Sequence, residues 1–357
     1  MTDYEMPTPE KENITLGYLR LTDSAPIILA LELGYFDAMG LNVTLSQEVS
    51  WAAVRDKLAA GLLDVAQMLS PLPAMITLGL SGMRTPLINS LVLSHNGNAI
   101  SVSQSLMKTL VPLKDNPDVW VPNTDQLKQT LTFAVVHGFS THHLLLRRWL
   151  RLAGIDPDKD VNAIVVPPSQ MVDSLARGLI DGYCAGEPWN TLASLEGAGC
   201  IAAAGISIWP DAPEKVLSTT SQWHNKHPNT HLLIRVALLK ACEWLNDPTT
   251  RLNAVEILAK PEYLNLPPEA LLPALSGRIK IANNTDETLL PDFHRFNDDM
   301  NAIPSHKDTR ALVNECTDLL GKELDTALIN NIVIQTARED LGVTAQEWRK
   351  TTTALAQ

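Results

Sequence analysis

The residues best suited to chemistry in this chain are neutral hydrogen-bond donors placed at the ends of expected strands. Ser24 lies in the turn after the first strand, Trp51 at a helix start, and His95-Asn96-Gly97-Asn98 after the run LINSLVLS. A second set follows: Ser140, Thr141 and His142 at a helix N-terminus, and Gly186-Glu187-Pro188-Trp189 after GYCAG. Helix N-termini offer unpaired N–H groups and a partial positive charge, so they favour anions. Indole, amide and imidazole N–H groups add further donors. Taken singly, each residue has an ordinary capping or packing role. Together they suit a small oxyanion held in a closed cleft. The catalytic templates are absent: there is no GxxxxGK[ST], GxSxG, HExxH or CxxC. His224, His227 and His231 lie close together, but Pro228 is expected to break the helix that would align them. With no acid or cysteine nearby, that stretch reads as an exposed loop without a metal.

These donors need a scaffold, and the chain supplies an alternation of strands and helices. ITLGYLRL from Ile14 reads as a strand, with Asp23 or Ser24 as the cap of a helix ending at Gly34. LNVTLSQ is a strand, VSWAAVRDKLAAG a helix capped by Ser50 and stopped at Gly61, and LLDVAQM a strand. TLTFAVVH, STHHLLLRRWLRLAG, VNAIVVP, PSQMVDSLARG and LIDGYCAG repeat the pattern. Within it, DKLAAGLLD (56–64) and DSLARGLID (173–181) share six of nine residues. Each reads as a helix closed by a left-handed glycine, followed by a strand entered through Leu and Asp. The expectation is α/β: two related lobes, with the ligand cleft between them. From about Gln222 onward the periodicity is helical.

Composition narrows the function further. The 357 residues carry 28 Lys+Arg against 40 Asp+Glu, a net charge of −12, and 45% are hydrophobic. That length suggests two domains with real cores. The acidic balance, with no basic run beyond Arg147-Arg148, argues against direct nucleic-acid or anionic-membrane binding. No apolar run reaches the ~18–20 residues of a membrane span. The start MTDYEMPTPEKEN has no apolar signal core, and the four cysteines form no CxxC pair, so a cytoplasmic location with reduced, buried thiols is expected.

Longer segments carry a family likeness. SAPIILALELGYFDAMGLNVTL, SWAAVRDKLAAG, STHHLLLRRWLRLAGIDPDKDV, VPPSQMVDSLARGLIDGYCAGEPWN and IWPDAPEKVL resemble the nitrate/bicarbonate solute-binding family of ABC transporters, over Ile14 to Gly277. The resemblance implies a two-lobe periplasmic-binding fold, with residues 14–100 and 215–357 in lobe 1 and 101–214 in lobe 2. It implies a ligand site built from Trp51, the His95-Asn96 region, His142 and Gly186, with Ser24, Thr141 and Glu187 beside them. Nitrate binders of the family place a lysine shortly after Ile-Trp; here Pro210 stands there and Lys215 follows five residues on. Lacking a signal, the chain most resembles the family's cytoplasmic branch, the nitrate/nitrite sensors of the NasS type. That likeness implies a non-enzymatic protein with nitrate or nitrite as ligand and no cofactor. Its partner would be an ANTAR-domain RNA-binding antiterminator, released when the anion binds. The alternatives are the binding component of a nitrate, bicarbonate or sulfonate transporter, and a thiamine-pyrimidine synthase-like enzyme. The latter's CCCFC motif is absent.

Overall fold

A computed structural model describes residues 6–282, 286–321 and 323–355. The strands of the first half are β1 (Asn13–Leu19), β2 (Asn42–Glu48), β3 (Val65–Leu69), β4 (Leu87–Asn96), β5 (Asn98–Ser103), β6 (Leu110–Leu113) and β7 (Asn116–Pro122). They are followed by β8 (Leu131–Val135), β9 (Val161–Val165), β10 (Gly182–Gly186), β11 (Gly199–Ala204) and β12 (Pro213–Thr220). Three short strands complete the set: β13 (Arg278–Ile279), β14 (Thr288–Leu289) and β15 (His294–Phe296). One six-stranded sheet has the order β15-β4-β12-β3-β1-β2, and a five-stranded sheet the order β11-β5-β10-β8-β9. In both, the βαβ units pair in parallel (β1 with β2 and β3, β8 with β9 and β10). The strands that change sheets, β5 and β12, pair antiparallel. The chain passes from the first sheet to the second at Gly97 and returns between Ala204 and Pro213.

The repeated nonapeptide marks equivalent joints in the two sheets. Gly61 and Gly178 end their helices with φ of 72° and 67°. Asp64 then donates its N–H to the Thr15 carbonyl, and its carboxylate accepts from the Thr15 N–H. Asp181 makes the same two bonds with Thr132. In each lobe an aspartate thus stitches the incoming strand to the first strand of the unit. Both helix starts near the cleft are capped as expected: Ser50 Oγ accepts from Ala53 N, and Ser140 Oγ from His143 N.

Three expectations are corrected. Neither Asp23 nor Ser24 caps the helix Ala25–Glu32: Ser24 Oγ instead donates back to the Leu19 carbonyl, 2.6 Å away. The histidine segment is not an exposed loop. Pro228 begins the helix Pro228–Asn246 rather than breaking one, because a proline at N1 loses no helical bond. His224 and His231 are buried with their Nδ1 atoms 3.0 Å apart, and His231 Nε2 meets Ser90 Oγ. Finally, the chain after Lys215 does not stay with the first sheet. Ala274, Ile279, Ile281 and Phe293 enter the core of the second, because the alternation Arg278-Ile279-Lys280-Ile281 turns both isoleucines inward. Ala282 N bonds the Ile201 carbonyl there. Beyond this excursion, the helices Thr326–Thr336 and Glu339–Leu355 pack on the first sheet.

Candidate functional site

The loops at the C-terminal ends of β1 and β10 meet between the sheets. Thr22 N donates to the Glu187 carbonyl at 2.8 Å, and the Trp189 indole N–H to the Arg20 carbonyl at 3.0 Å. Thr141 Oγ1 donates to the Pro213 carbonyl at 2.9 Å. Inside this closed junction lies a cluster of charged groups. Lys215 Nζ, wholly buried, is 2.8 Å from Asp23 Oδ2 and also contacts Glu214 Oε1. His142 Nε2 lies 2.8 Å from the same Glu214 oxygen, and Asn98 Nδ2 donates to Glu214 Oε2. Gln67 Nε2 donates to Asp23 Oδ1, and Gln67 Oε1 lies 3.0 Å from Ser24 Oγ. The Lys215 ammonium stands 5.4 Å from the Trp51 ring centre. Gly186 brings the second lobe to this cluster: a Cβ there would sit 3.3 Å from Asp23 Oδ2 and 3.8 Å from His142 Nε2. A side chain at that position would crowd the Asp23 carboxylate.

Electrostatics differentiates the two carboxylates. Burial pushes the Asp23 carboxyl above its ordinary range, with Lys215 opposing. Burial acts the same way on Glu214, but His142 and Lys215 outweigh it and hold that carboxyl at about 2. Burial disfavours the Lys215 ammonium, yet Asp23 and Glu214 more than offset this and raise it above the usual lysine range. Among the buried polar atoms here without a hydrogen-bond partner are the Trp51 Nε1–H, a donor, and His142 Nδ1. A buried donor left unpaired costs ~1–3 kcal/mol, so the Trp51 indole is suited to meet a ligand acceptor.

Of the residues singled out from sequence, Trp51, Ser24, Thr141, His142, Gly186 and Lys215 come together here. His95 and Asn96 do not join them. The His95 ring pairs with Asn297 and lines a separate cavity of about 150 Å³ against Ser305, Asp308 and Thr309. Asn96 donates to the Asp292 carbonyl. Glu187 contributes its backbone to the lobe contact, while Oε2 accepts from Thr191 N and is turned to capping. Sequence reasoning missed Gln67 and Glu214, and treated Asp23 only as a cap. Adjacent strand residues ordinarily face opposite sides, but the register of β12 against β4 shifts at Pro213/Lys215 and again at Lys215/Val216. Such bulges re-aim side chains, and this one lets Glu214 and Lys215 serve one cluster. Among the described residues no three His, Cys, Asp or Glu are grouped as metal ligands, and the four cysteines are buried free thiols.

Two sheets with a buried polar junction between them define a periplasmic-binding-type α/β fold. A crystal structure of the periplasmic nitrate-binding protein NrtA from Synechocystis PCC 6803 superposes with a TM-score of 0.87 at 27% identity, covering 98% of this chain and 90% of that one. The chain belongs to the NMT1-like family, whose profile matches residues 7–259. It is 35% identical to the nitrate/nitrite binding protein NrtA of Synechococcus elongatus, over 76% of this chain and 63% of that protein. It is 41% identical to the bicarbonate transport ATP-binding protein CmpC of Synechocystis, over 72% of this chain and 38% of that protein. The chain spans less than half the length of the ATP-binding relatives it matches. Its counterparts thus include the binding proteins of nitrate transporters.

Proposed function

We propose that this chain binds a small oxyanion of the nitrate/bicarbonate class between its two lobes. The observation that carries the reading is the buried junction itself: an ammonium, Lys215, beside the unpartnered indole N–H of Trp51 and the His142 ring, from opposite lobes. An anion that accepts from both lobes favours the closed arrangement, so binding shifts an open–closed equilibrium toward closure. Nitrate has four non-hydrogen atoms. At a ceiling of about −1.5 kcal/mol per atom, the free energy is about −6 kcal/mol and Kd is on the order of tens of μM.

The relatives, named for nitrate, nitrite and bicarbonate transport, support delivery to a membrane transporter as the role. The cytoplasmic sensor role, with an ANTAR-domain antiterminator as partner, rests on the sequence resemblance. Anion and partner would then prefer different states, and each would weaken the other by the same factor. Calorimetry with nitrate, nitrite, bicarbonate and taurine tests the ligand class, and binding of none of the inorganic anions refutes it. Anion titrations with and without the antiterminator test the sensor role: an identical affinity in both removes it.

A further inference from the structure

An anion site ordinarily carries an excess of positive charge, and this one does not. The groups facing Asp23 are Lys215 and Glu214 from β12, His142 from the helix Thr141–Leu152, and the neutral Gln67 amide from β3. Gly186, at the end of β10, presents no side chain. Even with His142 as the imidazolium, two carboxylates cancel the two cations. Adding a monovalent anion then leaves one uncompensated negative charge in a junction whose members are all essentially buried. Charges taken out of water must be neutralised or paired. Glu214 is already committed to His142, Lys215 and Asn98. Asp23 Oδ1 accepts from Gln67, while Oδ2 has only the Lys215 ammonium and faces the second lobe across Gly186.

We propose that a proton bridges Asp23 Oδ2 and the bound oxyanion: one taken from solvent when the anion is nitrate, or the anion's own O–H when it is of the bicarbonate class. This rests on the oxyanion reading above and narrows it. A bicarbonate-class anion brings the proton covalently and donates its O–H to the Asp23 carboxylate while its other oxygens accept from Lys215, Trp51 and His142. Nitrate has only acceptors. It binds when a proton from solvent has been added to Asp23, whose O–H then donates to a nitrate oxygen. With nitrate the added proton cancels the added charge; with bicarbonate no proton is taken up, and the single added charge is shared across the O–H···carboxylate hydrogen bond to Asp23. The raised carboxyl range of Asp23, caused by its burial, agrees with this role.

The test is isothermal titration of the whole chain with sodium nitrate and with sodium bicarbonate, at about pH 7.5 and about pH 8.5. Each is run in two buffers of different ionisation enthalpy, which counts protons. Nitrate is expected to take up about one proton and to bind roughly tenfold more weakly for the one-unit rise in pH, whereas bicarbonate takes up none and holds its affinity. In Asp23→Asn a fixed N–H donor replaces the protonated carboxyl. Nitrate binding should become indifferent to pH, and bicarbonate should weaken at least tenfold. Nitrate binding to wild type without proton uptake overturns the proposal, and this measurement stands even if the variant does not fold. Proton uptake that persists in a folded Asp23→Asn chain also overturns it, by moving the proton to another group. If neither anion binds the folded wild type, the oxyanion reading itself fails and takes the proposal with it.

Discussion

Lys215 is the single cation that Asp23 and Glu214 share, and its removal leaves two carboxylates buried in one junction. Breaking a buried ion pair by deleting one partner costs ~3–5 kcal/mol, because the remaining charge is stranded. Lys215→Met is therefore expected to abolish anion binding and to lower stability by about that amount in urea denaturation. Adding Asp23→Asn to it should restore part of the loss, since one stranded charge is then gone. A Lys215→Met chain as stable as wild type would show that the ion pairs do not hold the junction. The aromatic side of the site allows a gentler probe. Trp51→Phe keeps most of the buried ring and deletes the unpartnered Nε1–H, so the fold should survive while anion affinity falls tenfold or more, a loss of at least ~1.4 kcal/mol, against ~1.5–3 kcal/mol for one hydrogen bond to a charged group. His142→Gln is expected to act in the same direction. Wild-type affinity in both variants, measured by calorimetry, would place the ligand elsewhere.

At the level of elements, the aspartates of the repeated nonapeptide make a paired prediction. Asp181→Ala removes the carboxylate that accepts from Thr132 N, and should cost ~1–3 kcal/mol by leaving that backbone donor without its partner. Asp64→Ala should cost more, because Asp64 Oδ1 also accepts from Lys11 Nζ and from the Trp223 indole. Chemical denaturation of both variants gives the comparison, and equal losses would mean that the extra bonds contribute nothing. That these joints could be read from residues alone has a physical reason. Helix, glycine stop and strand entry are local patterns, and the caps Ser50 and Ser140 act within three residues. The charged junction was legible only in part. Trp51 and His142 stood out by type and Lys215 through the family resemblance, but Gln67 and Glu214 become partners only when β3 and β12 are adjacent and the irregular register of β12 turns its side chains. His95 and Asn96 show the converse: both are polar groups at a strand end, and β15 and the residues around it, far along the chain, supply their partners Asn297 and Asp292. The buried histidines near Pro228 were hidden likewise, since their partner Ser90 lies on β4.

Across the whole molecule, the same burial that shapes the cleft sets how stability responds to pH. Burial holds His95, His137 and His224 at about 4, and pushes His231 and His294 well below the ordinary histidine range. In the unfolded chain these rings titrate near ~6.5, so between there and about 4 the unfolded state binds more protons. Each contribution is fully present above the unfolded value and is lost as pH falls through the folded one. For His95 alone the shift corresponds to about 3 kcal/mol. Glu187 works in the opposite sense. Burial raises its carboxyl to about 7, with the Thr191 bonds opposing, so its contribution is full below about 4.5 and is lost as pH rises through 7. Five histidines outnumber the two raised carboxyls, Glu187 and Asp23, and the melting temperature is expected to fall from pH 6.5 to pH 4.5. Glu187→Gln separates the two effects: it cannot ionise, yet its Oε1 can still accept from Thr191 N. The variant should be more stable than wild type at pH 8 by up to ~3 kcal/mol, nearly equal to it at pH 5, and steeper in its acid loss. Melting curves of both proteins across this range decide the matter. A wild-type melting temperature that stays level or rises on acidification would mean that the histidines are not held neutral by the fold.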